Sequence, residues 1–152
     1  MKKRLIIATS VAAFAAGGAW LYASGETKEA VALSSDVATL QLGKDVYAEN
    51  CASCHGANLE GQPNWRERNA EGRLPAPPHD ENGHTWHHDS EALFNITKYG
   101  VAAMISDDSY QTDMPIYDGV LSDEEIMAVL SYIRSTWPEH IQQAYDAREA
   151  SR

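Results

Sequence analysis

The chain has 152 residues, room for one domain and short of two. It carries 22 Asp and Glu against 12 Lys and Arg, a formal charge of -10; a surface that acidic repels phosphate backbones, which argues against nucleic acid, and it either steers toward basic partners or simply keeps the domain soluble. The two cysteines stand three positions apart, too close for a disulfide that could brace a fold, so a metal or a haem is expected to claim both.

Residues 1–25 read as an export segment. Lys2, Lys3 and Arg4 precede an apolar run from Leu5 to Ala23, and the first acid is Glu26. The run exceeds the roughly 7–15 residues of a cleavable signal, and Ala23-Ser24-Gly25 is an imperfect cleavage site. Its length is closer to the about 20 apolar residues of a membrane span. Signal peptide and uncleaved anchor both remain open, and both place the rest of the chain outside the cytoplasm, on the periplasmic side of a bacterial inner membrane. Residues 26–37 are small and polar and read as a linker.

A first helix is expected from about Val37 to Ala52, with Leu40, Gly43, Val46 and Tyr47 on one stripe. It runs into Cys51-Ala52-Ser53-Cys54-His55, the C-x-x-C-H pattern of covalent haem attachment. On a helix, residues three apart share a face, so both sulfurs reach one edge of a porphyrin while the next residue brings an imidazole beneath the iron. A redox C-x-x-C would want a preceding strand, and none is seen; a zinc site would need two further soft ligands, for which only histidines are available. Trp65 with Arg66, Arg68 and Arg73 then forms a small basic island suited either to propionates or to solvent.

The segment that follows holds Pro75, Pro77 and Pro78, then His79, His84, Trp86, His87 and His88. Three readings compete for these five aromatic and imidazole groups. Trp86 packs on a porphyrin while a neighbour binds a propionate; or the histidines hold copper or zinc; or one of them ligates the haem iron. A second helix is expected over Ser90–Tyr99, stopped by Gly100. Met114, in a loop and held extended by Pro115, is the expected second axial ligand, with Met104 as its rival and Met127 as core. A third helix starts at Ser122, with Glu125 completing a capping box, and ends before Pro138. The polar tail, residues 139–152, reads as frayed helix.

Over residues 38–137 the chain resembles the class I, mitochondrial-type cytochrome c domain. Gly43, Tyr47, Cys51, Ala52, Cys54, His55 and Gly56 follow that family's opening pattern, Met114-Pro115 its ligand motif, and Leu121–Ile126 with Val129–Ile133 its closing helix. The His- and Trp-rich segment is unusual for the family and resembles an insertion seen in some small bacterial cytochromes. The resemblance implies an all-α fold: three main helices round one covalent haem c, over 38–138. It implies that first and last helices cross at Gly43 with Tyr132 packed over it, and that a proline carbonyl near 75–78 accepts a hydrogen bond from His55.

The function expected is single-electron transfer without catalysis, between redox proteins such as an oxidase, a quinol-oxidising complex or a dehydrogenase, with residues 1–25 as a tether to the membrane. A haem enzyme or gas sensor with an open sixth site, and a copper- or zinc-handling module built on the histidine loop, are the alternatives.

Overall fold

The computed structural model describes residues 32–152. The signal or anchor expected over 1–25, and the first half of the linker, lie outside the described residues. Within them the regular structure is six α-helices and one 3₁₀ turn, with no strand: α1 Val37–Asn50, α2 Ala52–His55, the 3₁₀ turn Thr85–His87, α3 Ser90–Tyr99, α4 Val101–Ile105, α5 Asp123–Ser135 and α6 Glu139–Glu149. No helix among these residues is long and apolar enough to cross a membrane.

Each main helix starts where a short polar side chain can satisfy its open amides. The Asp36 carboxylate accepts from the Thr39 amide at 3.0 Å, and that of Asp89 from the Ala92 amide at 2.8 Å. Ser122 and Glu125 form the expected capping box. Gly100 closes α3 at a φ of 87°.

The frame is the crossing of α1 on α5. Gly43 makes it close: a Cβ there would run into the Ala128 carbonyl and lie 2.9 Å from Cβ of Tyr132. Val46 and Tyr47 of α1 join Ile126, Val129, Leu130 and Ile133 of α5 in one apolar cluster, which Leu93 of α3 completes. Burying each such side chain contributes about 1.5–3 kcal/mol, so the crossing is the main reservoir of stability.

The tail departs from the expectation of frayed helix. It forms α6 and packs back on the domain, with Tyr145 2% exposed and set edge-on against Trp137 at 5.2 Å. Arg134 of α5, itself buried, grips Asp146 with two parallel bonds, Nε to Oδ1 at 2.8 Å and Nη2 to Oδ2. Ser90 bonds Glu149, and Arg148 donates to the Trp86 carbonyl. A buried aromatic and paired charges therefore fasten a segment whose composition alone reads as solvated.

Candidate functional site

The end of α1 and the short α2 form a relay that delivers the cysteines and His55. The Cys51 amide donates to the Tyr47 carbonyl and the His55 amide to the Cys51 carbonyl, both at 2.9 Å. Two tyrosine hydroxyls pin the junction: Tyr47 donates to the Gly56 carbonyl at 2.9 Å, and Tyr117 to the Asn50 carbonyl at 2.6 Å. Burial, and after it the neighbouring Cys54 thiol, pushes the Cys51 thiol up to about 11. That is the opposite of the low-pKa thiolate on which a redox C-x-x-C depends.

His55 is 8% exposed, and its Nδ1 lies 2.8 Å from the Pro77 carbonyl. A carbonyl only accepts, so Nδ1 carries the proton and Nε2 presents its lone pair. Of the three candidate prolines, the fold selects Pro77. The stretch 76–79 is held by the loop after α2: Gln62 amide to Ala76 carbonyl at 2.9 Å, and His79 amide to Leu59 carbonyl at 2.8 Å. Gly61, at a φ of 69°, lies so close to the Pro77–Pro78 bond that any Cβ there would clash with it. Burial lowers the His55 imidazole below its ordinary value of 6.5, and the Pro77 bond opposes this only in part.

Cys51, Cys54 and His55 open on a cavity of about 690 Å³ whose other walls come from the 62–88 loop, α3, α4, the loop around Met114, and α5. Protein interiors are packed with few voids larger than a water molecule, so a space of this size is built for an occupant. Leu93, Ile96, Val101, Ile105, Val129, Leu130 and Ile133 make the walls mainly aliphatic. Two thiols, an unprotonated imidazole nitrogen and two methionines among the lining residues match the donor set that haem c requires.

Both candidate methionines line the cavity. Met114 is half-buried, its backbone N–H bonded to the Thr112 hydroxyl at 3.1 Å, whereas Met104 on α4 is 40% exposed. Met127 is not among the lining residues. Of the basic island, Trp65 and Arg66 line the cavity, with the guanidinium 3.9 Å above the indole. Arg73 is instead paired with Asp113, and Arg68 donates to the Gly72 carbonyl at 2.5 Å. Those two are thus committed to protein partners rather than to propionates.

The histidine segment disperses. His79 turns in and stacks on His55, ring centres 4.0 Å apart. His84 stacks on Trp65 at 5.3 Å, meets His88 edge-on, and with it lines the cavity. His87 is exposed and stacks on Trp86 at 3.7 Å. Trp86 is not among the residues that line the cavity; the 3₁₀ turn buries Thr85, and the Trp86 carbonyl accepts from Arg148 of α6. Among the described residues, no three His, Cys, Asp or Glu side chains converge on a point where a metal ion could sit.

Two contributors escaped the sequence reading. Thr85 binds the Nδ1 of His79 through its hydroxyl at 2.8 Å, and the Trp137 indole donates to the His79 carbonyl at 2.8 Å. The spacing of 58 residues between Trp137 and His79 leaves no local signal. The helix α4 was also missed, as five residues after a glycine are too few for a period to show.

The Cytochrome c family model matches residues 40–137. A nitrite reductase of Stutzerimonas stutzeri is 29% identical over 102 residues, which cover 63% of this chain and 16% of that protein. The cytochrome bc1 complex cytochrome c subunits of Mycobacterium tuberculosis and Mycobacterium bovis are each 41% identical over 59 residues, 39% of this chain and 20% of theirs. The chain thus spans a fifth or less of the curated relatives it matches. No solved structure matches it significantly.

Proposed function

We propose that this chain, which belongs to the cytochrome c family and binds haem c covalently, carries single electrons between redox proteins through one haem closed on both faces. Cys51 and Cys54 would carry the haem through their sulfurs, and His55 and Met114 would supply the protein ligands to its iron. Haem c supplies a one-electron iron couple; the residues of this chain decide how that couple is held and who can reach it.

The observation that carries the reading is the His55–Pro77 bond beside a cavity that Cys51, Cys54 and Met114 also line. The bond leaves Nε2 as the only donor atom of His55 and fixes its direction. Because the residues on either side of Pro77 are tied to the 59–62 loop, the imidazole has little room to shift between oxidation states, which favours rapid electron exchange. The apolar walls keep water from the reaction centre. With His55 and Met114 both holding the iron, a substrate would find no coordination site there, and the chain would act as a carrier rather than as an enzyme.

Electrons enter and leave where the occupant's edge meets solvent. Cys54 is exposed, as are Leu74, Met104 and Ile105 of the cavity wall. This small apolar rim on an acidic chain suits brief contacts with basic partners. A quinol-oxidising complex is one such partner, in line with the bc1 complex subunits; oxidases and dehydrogenases fit the same chemistry. We place the domain on the periplasmic side of the membrane, tethered or released according to the fate of residues 1–25. The likeness to a nitrite reductase covers 16% of that protein, too little to bring a nitrite site with it.

Met114→Ala is the test. The expected result is a haem still covalently attached, loss of the methionine–iron absorption band, and new carbon monoxide binding at neutral pH. Persistence of the band would move the ligand to Met104. Avid carbon monoxide binding by the unaltered protein would replace electron transfer with the open-site reading.

A further inference from the structure

We propose that His79 is a positioning residue for the axial histidine: stacked face to face on His55, it fixes the plane in which that imidazole meets the iron. The proposal rests on His55 being the ligand.

The bond from Nδ1 to the Pro77 carbonyl defines a line, and a ring held along one line still swings about it. A flat group against the ring face removes that freedom. The His79 ring lies 4.0 Å from that of His55, centre to centre, at 25° between planes. His79 is in turn held at both ends of its backbone and at its ring. Its amide donates to the Leu59 carbonyl at 2.8 Å, and its carbonyl accepts from the Trp137 indole at 2.8 Å. Its Nδ1 meets the Thr85 hydroxyl at 2.8 Å, while Tyr47 approaches the ring edge-on at 6.3 Å.

Simple space-filling does not account for this arrangement. Leucine or methionine would fill the volume without the cost of burying a polar ring, and that cost is met here by a dedicated hydroxyl. What imidazole offers and leucine lacks is a rigid face. Thr85 and Trp137 carry the constraint outward to the 3₁₀ turn and to the end of α5 respectively.

The plane of an axial imidazole governs how unpaired spin spreads over the four quadrants of an oxidised haem, and the proton shifts of the haem methyls report it. These shifts are to be recorded on oxidised holoprotein carrying His79→Ala, His79→Phe, His79→Leu and Thr85→Val. The expected result is a reordered methyl pattern in the alanine and leucine variants, and return toward the native pattern with phenylalanine. A smaller shift in the same direction is expected for Thr85→Val. An unchanged pattern in His79→Ala, or restoration by leucine equal to that by phenylalanine, overturns the proposal. Should His79→Ala not fold, Thr85→Val decides alone: a native pattern there overturns it. The ligand assignment is read separately, from the strongly displaced ring protons of His55 in the unaltered protein; their absence would remove that assignment whatever the variants do.

Discussion

The two walls of the cavity are built to different standards. On the His55 wall the ligand is 8% exposed, its Nδ1 is bonded to a carbonyl that is itself fixed, and a second ring covers its face. On the Met114 wall the polypeptide is short helix and loop, with Met104 40%, Ile105 51% and Ile116 58% exposed. The backbone there is tied to α3 chiefly by the Tyr117 and Asp118 amides, which donate to the Thr97 and Lys98 carbonyls at 3.3 and 2.9 Å. One wall is over-determined, and the other is free to give. A haem carrier needs the first to hold its ligand through every redox cycle. It can tolerate the second because a thioether adapts to small displacements.

Three substitutions would break or sharpen that contrast. The largest effect is expected at the crossing on which both walls stand: Gly43→Val drives a branched side chain into the Ala128 carbonyl and Tyr132 and should cost about 3 kcal/mol or more. Urea unfolding of the holoprotein would measure it, and a loss confined to the Met114 wall would show that the walls do not share this frame. Next comes Asp146→Ala, which leaves the buried Arg134 without its carboxylate. Asp146 is half-exposed, so solvent recovers part of the loss, and about 1–2 kcal/mol is expected. Hydrogen exchange should quicken in α6 and around 84–88 while the Met114 loop is unaffected.

The smallest is Ser122→Ala, where the Met114 loop passes into α5; loss of the cap should cost about 1 kcal/mol at neutral pH. Backbone and hydroxyl bonds from Ser122 hold the Glu125 carboxyl below its ordinary 4.5. A carboxyl lowered on folding stabilises above its unfolded value and ceases to do so as pH falls through the lowered one. The native protein should therefore lose stability below pH 4.5, and the alanine variant should lose less. Equal acid sensitivity in the two would assign that slope to other carboxylates.

How legible each wall was in the sequence follows the range of the interactions that make it. Cys51, Cys54 and His55 lie on one helical turn, and Ser122 with Glu125 on another, so short-range pattern sufficed. The crossing of α1 on α5 was foreseen from Gly43 and Tyr132 through the family resemblance. The choice of Pro77 among three prolines was not, because it is made by the 59–62 loop. Four histidines within ten residues are equivalent in sequence. They become one inward ring, two rim residues and one exposed ring only when the 3₁₀ turn and the loop after α2 set their directions. The tail was misjudged because a polar helix with one buried tyrosine carries almost no period, and its anchor, Arg134, lies in another element.

The indole that ties down His79 belongs to a residue translated long after Cys51, and α6 comes later still. A chain growing from its N-terminus therefore displays its two thiols well before it owns the parts that close the pocket around them. Val129, Leu130 and Ile133 of the cavity wall all lie on α5, so a chain cut short before that helix would keep both attachment cysteines and lack one side of the vessel.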